Sequence, residues 1–388
     1  MPVESVAIIG AGIAGLTAAL CFARHGIRSD IIEQTPELTE VGAGLQISPN
    51  AARILDTLGV LGDIEDVWTE PLSINLTSGS TLKTLMALPV GDVARQRWHA
   101  PYGVLHRATL QKALFASVIA NPLCRMHLGK RMDRVDRTTI AQIVAADHDL
   151  IVGADGVWSK TRDMIVASPV ASFSGDVAWR FMVSETDAPA FLSRNTVTAL
   201  LGPSGHIVAY PLKEIAGFNI VAIASGANPG STWKAQSTGE HMDRLLVQFK
   251  HWHPSVSALL ANAGNASFWP LYQVGDGRWH NGRDTVLIGD AAHAMMPFAA
   301  QGAAMAIEDA FELAGQIASR QPLASALVSF ETMRLPRIAK ARKRASLNKF
   351  AYHASGPFRL GRDLIFAARP PQAFVADFDW LYGYRAKG

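Results

Sequence analysis

Val6-Ala7-Ile8-Ile9-Gly10-Ala11-Gly12-Ile13-Ala14-Gly15 decides the fold. The apolar run from Val3 to Ile9 suits a buried parallel strand, and it leads straight into Gly-x-Gly-x-x-Gly. The pattern then predicts a helix from Leu16 to His25, closed by Gly26, and a second strand from Ser29 to Ile32 that ends at Glu33. Each glycine has its own steric reason. Gly10 allows the tight turn after the strand, Gly12 lets backbone approach a pyrophosphate, and Gly15 lets the helix pack on the sheet. The helix start adds N–H donors and the positive end of a dipole. Glu33 follows Gly15 by 18 residues, the distance at which a carboxylate accepts hydrogen bonds from a ribose diol. Ala14 and Gln34 belong to the same expected dinucleotide site. The fingerprint alone does not separate NAD from FAD.

Outward from that stretch, composition excludes several classes. The chain has 388 residues, 49% of them hydrophobic and 18% charged, which is too apolar for disorder. Its two cysteines, Cys21 and Cys124, cannot build a disulfide scaffold or a four-thiolate metal site. A net charge of +3 is no nucleic-acid footprint, so no nucleic-acid partner is expected. The most apolar stretch, Val6 to Ala23, is interrupted by Gly10, Gly12 and Gly15, so no membrane span is expected. The opening Met-Pro-Val-Glu lacks the basic region of a secretory signal, and the expectation is a cytoplasmic protein.

Two later motifs bear on the cofactor. Asp149-Leu150-Ile151-Val152-Gly153-Ala154-Asp155-Gly156 reads as a strand running into an acidic glycine turn. Thr285-Val286-Leu287-Ile288-Gly289-Asp290-Ala291-Ala292-His293 reads the same way, and is followed by Met296-Pro297-Phe298-Ala299-Ala300-Gln301-Gly302-Ala303-Ala304 and a long helix. Asp290 at a strand end can reach a sugar-alcohol hydroxyl. The Gln301-Gly302-Ala303 turn opens a helix and offers backbone N–H groups to partial negative charge.

In this order the three motifs resemble those of the single-component FAD-dependent aromatic hydroxylases, the para-hydroxybenzoate hydroxylase superfamily, nearest its salicylate and 3-hydroxybenzoate 6-hydroxylase branch. The likeness runs from Val6 to about Ala318 and resumes at Trp380-Leu381-Tyr382-Gly383-Tyr384. It implies that Gly10, Gly12, Ala14, Gly15, Glu33 and Gln34 hold the ADP part of FAD. Asp155 would serve FAD and NAD(P)H, and Gly289 and Asp290 the flavin ribityl chain. Val41-Gly42-Ala43-Gly44-Leu45-Gln46 matches the loop near the isoalloxazine, so Gly44 and Leu45 join the site. His106-Arg107-Ala108-Thr109-Leu110 matches a helix start whose arginine, Arg107, lies by the FAD phosphates; a surface helix cap is the other reading of Arg107. Pro297, Gly302 and Ala303 match the loop along the flavin pyrimidine edge, where N–H groups stabilise reduced flavin. Phe181 stands where many relatives have Gly.

The implied fold is α/β: a Rossmann-type FAD-binding domain with an inserted antiparallel β-sheet substrate domain and C-terminal helices. Because the FAD motifs are far apart, the FAD-binding domain is expected in three parts, 1–70, 98–171 and 273–333. Strand-like runs separated by Gly, Pro, Ser and Asn turns place the substrate domain at 71–97 and 172–272. The C-terminal helical segment is 334–388. Within it, Arg334 to Lys349 reads as a helix with a basic solvated face, or as a surface that steers anionic substrate. His251-Trp252-His253 has no carboxylate or thiolate beside it, and no metal is expected.

A second dinucleotide fingerprint and a paired-cysteine motif are both missing, so NADH or NADPH is expected to dock transiently. The resemblance then implies that NAD(P)H reduces FAD, O2 reacts with the reduced flavin, and a flavin C4a-hydroperoxide transfers OH to a small aromatic or N-heteroaromatic substrate, a phenolic acid above all. Deprotonating the phenol activates the ring, which calls for a base. His206 and Tyr210 lie four apart on a predicted strand, hence on one face. They resemble the His and Tyr at that spacing in the 3-hydroxybenzoate 6-hydroxylase branch. His206 is the candidate base, with Tyr210 and Gln301 orienting the substrate; a surface His just after the Pro203-Ser204-Gly205 turn and a core Tyr are the bland readings. His293 reads as structural support beside the flavin. Arg95, Arg97 and Arg180 are candidates to meet a substrate carboxylate. A flavin reductase or dehydrogenase, a halogenase, or a flavoprotein sensor would use the same scaffold. A monomer or homodimer is expected.

Overall fold

The computed structural model describes residues 2–38, 44–228, 235–236, 238–264 and 266–388. Val41, Gly42 and Ala43 of the expected flavin loop lie outside them. The chain runs through β1 (Ser5–Ile9), α1 (Ile13–Arg24), β2 (Arg28–Ile32), β3 (Gly44–Ile47), α2 (Pro49–Thr57), β4 (Ser73–Ser78), β5 (Thr84–Pro89) and α3 (Gly91–Trp98). It continues with β6 (Gly103–His106), α4 (Arg107–Ala120), β7 (Cys124–His127), α5 (Arg137–Val144), β8 (Leu150–Gly153), β9 (Ala171–Ser184), β10 (Thr196–Gly202), β11 (Gly205–Leu212) and β12 (Gly217–Ser225). After β13 (Ala235–Gln236) come α6 (Gly239–Gln248), α7 (Pro254–Ala261), β14 (Ser267–Val274), β15 (Thr285–Leu287) and α8 (Asp290–His293). Helices α9 (Gly302–Ala318), α10 (Leu323–Tyr352), α11 (Gly356–Ala368), α12 (Pro371–Ala376) and α13 (Asp379–Tyr382) close the chain.

The first sheet has the order β15-β8-β1-β2-β7, and all its pairings are parallel. Its inner strands β1 and β8 are short and apolar because both faces are covered: α1 and α9 pack on one side and α5 on the other. Helix α1 is buried from Ile13 to Ala23 save Ala14, and Leu16 and Phe22 are wholly enclosed. Burying each such side chain stabilises the fold by about 1.5–3 kcal/mol.

The second sheet has the order β13-β14-β9-β12-β11-β10-β4-β5. The alternation of β9 shows its two faces. Val177, Trp179 and Phe181 pack against α6 and α7 through Leu245, Phe249 and Leu259, while Ala178 turns the other way, toward Phe298 and Ala345. Phe181 is therefore a core residue on the face opposite to His206. The sheet is antiparallel except where β10 meets β4, which run parallel. The all-antiparallel expectation is corrected there: β4 arrives from the other domain's chain segment, with no hairpin to reverse it.

Helix α10 overturns part of the solvated-face reading. Arg334 is 0% exposed and Arg337 7% exposed, and both point inward. Arg334 pairs with Glu308, Asp309 and Glu312 of α9, and Arg337 with Glu308. Pro336 sits between them inside the helix, a position that costs about 3 kcal/mol. The anchored arginines on either side hold the helix through it. None of the described helices is long and apolar enough to cross a membrane.

Candidate functional site

The turn after β1 shows why glycine stands at three positions. Gly10 has φ +103°, and a Cβ there would lie 2.6 Å from the Ala154 carbonyl oxygen. A Cβ on Gly15 would lie 1.9 Å from the carbonyl oxygen of Gly10. Gly12 is different: a Cβ there would meet nothing within 4 Å. Two glycines thus let the turn close, and the third leaves bare backbone facing open space at the start of α1. That is the cradle a pyrophosphate needs. Glu33 lies beside it. Its Oε2 accepts from the Ala11 N–H at 2.8 Å, and its Oε1 accepts from the N–H and hydroxyl of Thr35. Gln34 is exposed at the strand end, and Gln111 of α4 donates to the Ala11 carbonyl at 3.0 Å. Arg107 opens α4 as a half-buried residue behind the N-cap His106.

The two acidic turns differ. Asp155 is occupied locally: it accepts from Ser159 Oγ, from Thr161 Oγ1, and from the N–H groups of Lys160 and Thr161. It caps the turn that follows, a task its motif did not reveal. Asp290 is half-buried, and its carboxylate takes no hydrogen bond among the described residues. Its backbone carbonyl accepts from Arg162 at 3.0 Å. A carboxylate at a strand end with no hydrogen bond among the described residues, near the charge of Arg162, suits a polyol ligand. Gly289, with φ +59°, would put a Cβ 3.1 Å from the Cβ atoms of both Ala14 and Ala306. Small side chains on both α1 and α9 thus lie against the Gly289 turn, which accounts for Ala14. The Gly12 cradle, the unengaged Asp290 and the open helix starts together fit an FAD.

Pro297 begins a short turn and Ala300, at φ +51°, ends it before Gly302 and Ala303 open α9. Gln301 is 2% exposed and lies against Ser48. Its Nε2 is 3.1 Å from Ser48 Oγ and also donates to the Ala300 carbonyl. From Ser48 the chain of bonds runs through Asn50 to Glu308, and so to Arg334 and Arg337. The Gln301 amide, expected to orient substrate, is also engaged in fixing the loop. His293 Nε2 lies 2.5 Å from Asp309, which also accepts from the Gly289 N–H at 2.8 Å. His293 is thus a buried strut of the Gly289-Asp290 turn.

His206 and Tyr210 share one face of β11, and neither is a surface residue: His206 is 1% exposed and Tyr210 3% exposed. A Cβ on Gly44 would lie 2.4 Å from the Tyr210 ring, and the Gly44 N–H donates to Asn219 Oδ1 at 2.9 Å. The β3 strand, with half-buried Leu45 next in line, therefore rests on the second sheet at Tyr210. His206 lies against Phe298 and Tyr352, with ring centroids 5.1 and 5.3 Å apart. Burial pushes the His206 imidazole well below its usual range, and His353 and Lys349 add to the shift. Burial raises the Tyr210 phenol, against the pull of Arg180. Arg180 stands over the Trp269 ring at 5.1 Å, on the strand next but one to Tyr210. Arg95 and Arg97 are paired elsewhere, with Glu70 and Asp379, so of the three arginine candidates only Arg180 is near Tyr210.

Two residues of this group escaped the sequence reading. Tyr102, just before β6, is buried and donates to Gln46 Oε1 at 2.5 Å. His353, at the end of α10, binds His206 Nδ1 through its Nε2 at 2.9 Å. Tyr102 had a nearby signal, since it precedes the Arg107 helix start; His353 had none. Two surface clefts of about 340 and 380 Å3 lie elsewhere, one behind Trp179 and Phe268 and one by Arg53 and Arg95. The first is on the sheet face opposite to His206.

Comparisons with known proteins show the family and the fold. A family model described as an FAD binding domain matches residues 4–345. The chain is 33% identical to 3-hydroxybenzoate 6-hydroxylase 1 of Aquipseudomonas alcaligenes over 390 residues, covering 98% of both chains. It is 32% identical to 3-amino-4-hydroxybenzoate 2-monooxygenase of Streptomyces cremeus, covering 98% of this chain and 95% of that one. Among solved structures, a salicylate hydroxylase substrate complex superposes with a TM-score of 0.78 at 22% identity, covering 99% of this chain and 96% of the other. Klebsiella pneumoniae HpxO complexed with FAD and uric acid superposes with a TM-score of 0.78 at 22% identity, covering 96% of this chain and 95% of the other.

Proposed function

The chain belongs to the FAD-binding-domain family and is an FAD-dependent aromatic monooxygenase, and we propose that it uses NAD(P)H and O2 to hydroxylate a small aromatic acid bearing a phenolic OH. Two relatives named above act on hydroxybenzoates, which supports that substrate class. One observation carries the reading. His206 and Tyr210 converge from a single sheet face, between the Gly44 strand and the Phe298 turn.

When bound, FAD supplies the redox chemistry, taking reducing equivalents from NAD(P)H and activating O2. The chain supplies the rest. Gly10, Gly12 and Gly15 with the start of α1 would hold the pyrophosphate, with Arg107 beside it. Glu33 would serve the ribose, and Asp290 the ribityl hydroxyls. The first N–H groups of α9, at Gly302 and Ala303, would face the flavin edge, where they favour negative charge. The phenol would give its proton to His206 Nε2, which takes no hydrogen bond among the described residues. Since burial keeps His206 uncharged, it is an acceptor throughout the neutral range. The Tyr210 hydroxyl would hold the substrate against Gly44, and Arg180 would meet its carboxylate. The apolar wall of Phe298, Val208 and Tyr352 keeps water from the reacting ring.

The test is a panel of hydroxybenzoates and hydroxypyridine carboxylates given to the FAD-loaded protein. NADH or NADPH consumption is scored against hydroxylated product. Consumption that matches product supports the reading. Oxidation indifferent to the panel, yielding only peroxide, identifies a reductase instead.

A further inference from the structure

His206 is enclosed, yet its imidazole is not isolated. Nδ1 lies 2.9 Å from Nε2 of His353, 147 residues later in the chain. The two rings are 5.1 Å apart and tilted by 45°. Exposure rises along the pair, from the enclosed His206 to the half-buried His353 at the C-terminal end of α10. Hydrophobic rings seal the inner end: Phe298 lies 5.1 Å from His206 and 5.6 Å from His353. The inner imidazole therefore has one nitrogen left for the substrate and one tied to a group that reaches toward water.

A base in this position meets an electrostatic obstacle. Deprotonating a phenol with His206 alone would leave an imidazolium in an apolar enclosure beside Lys349, a cation held there by Asp176. The other titratable group in contact with the pair is Tyr352 on α10, and Arg362 of α11, which donates to the Ala351 carbonyl, is paired with Asp363. No carboxylate among the described residues is hydrogen-bonded to either imidazole, so an imidazolium would lack a counter-ion.

We propose that His353 completes a proton relay, so that His206 accepts the substrate proton without becoming charged. The phenolic O–H bond breaks and its proton goes to His206 Nε2. The His206 Nδ1–H bond breaks in the same event, and that proton goes to His353 Nε2. His353 gives up its own Nδ1 proton to water. The phenolate carries the remaining negative charge, each imidazole ends neutral with its tautomer exchanged, and no oxidant is involved. His353 does not touch the substrate in this scheme; it is a positioning and relay residue. Burial and Lys349 lower its ring to about 4, which keeps it uncharged and ready to accept. The inference rests on the reading of His206 as the base.

The experiment uses the FAD-loaded enzyme with 3-hydroxybenzoate as probe and no NADH, so that only binding and ionisation are seen. Phenolate absorbance is followed against pH and, after mixing, against time. His353→Ala is expected to slow phenolate formation about tenfold and to raise the apparent pKa of the bound phenol by about one unit. Added imidazole, filling the space at the half-buried position, is expected to restore both. His353→Gln can accept a hydrogen bond from the His206 Nδ1–H but cannot take up the proton, and it should stay slow. Wild-type behaviour of His353→Ala, or full recovery in His353→Gln, overturns the relay while leaving the base in place. If His206→Ala also ionises the probe like the wild type, the base reading itself falls, and the relay with it.

Discussion

Arg334 Nε donates to Asp309 Oδ1 at 2.7 Å, and both side chains are wholly buried. The same guanidinium binds Glu308 and Glu312, so a single cation compensates an acidic stripe along α9. Replacing Arg334 with Met should destabilise the protein by about 3–5 kcal/mol, because it strands buried carboxylates. Thermal melting of the variant checks this.

The pH dependence of that cluster has a definite sign. Burial pushes Asp309 upward, but His293 and Arg334 outweigh it and hold its carboxyl below the usual value; Glu308 is held down likewise by Arg334 and Arg337. Their stabilisation is complete above their unfolded values of about 3.9 and 4.3 and is lost as pH falls through the lower folded values. Glu312 runs the other way, since burial raises it. Melting temperature should therefore drop steeply below pH 4 in the wild type, and less steeply in Asp309→Asn. Equal slopes would contradict this account.

Gly12 and Gly15 separate folding from cofactor retention. Gly15→Ala forces a Cβ against the Gly10 carbonyl and should cost about 1–3 kcal/mol of stability or more. Gly12→Ala meets open space, so its melting temperature without flavin should match the wild type. Its FAD affinity should fall about tenfold or more, as the methyl group enters the pyrophosphate's place. Flavin-to-protein absorbance after dialysis measures the second effect.

Asp290→Ala removes a carboxylate that makes no hydrogen bond among the described residues and acts there only through its charge on nearby Arg162. Stability of the flavin-free protein should change by less than about 0.5 kcal/mol. Flavin retention should fall, and full FAD occupancy in the purified variant would count against a ribityl role.

His206→Ala should lower coupled hydroxylation by roughly a hundredfold to ten-thousandfold while FAD binding holds. Because burial lowers the His206 pKa, the acid limb of wild-type activity should lie below the ordinary imidazole value of about 6.5. Product yield against pH, in wild type and in His206→Gln, tests both statements. Tyr210→Phe should raise KM more than it lowers kcat, by about 1 kcal/mol in binding.

Much of this was legible in the sequence because the signals are local. The β1 turn, the Gly289-Asp290 turn and the alternation along β11 are each written in one short stretch of sequence. What was hidden depends on partners far away. Arg334 looked like a solvated cation because its carboxylates lie on another helix, 22 to 26 residues upstream. The parallel pairing of β4 with β10 was hidden because alternation gives faces, not direction. Asp155 and Gln301 carry side chains suited to ligands, and only three-dimensional neighbours show that Thr161 and Ser48 already engage them. His353 lacked even a motif.

Helix α10 brings both the cation for the α9 carboxylates and the partner of His206. A nascent chain that ends before Arg334 has β1, α1 and α9 in hand, yet its acidic stripe has no counter-charge. Three buried α9 carboxylates would then lack the cation that pairs with them. At about 5–20 residues per second, His353 follows His206 out of the ribosome by roughly 7–30 s. A truncated translation product is thus left with an unfinished nucleotide half rather than an idle flavoprotein, so flavin would be gathered only by chains synthesised past α10.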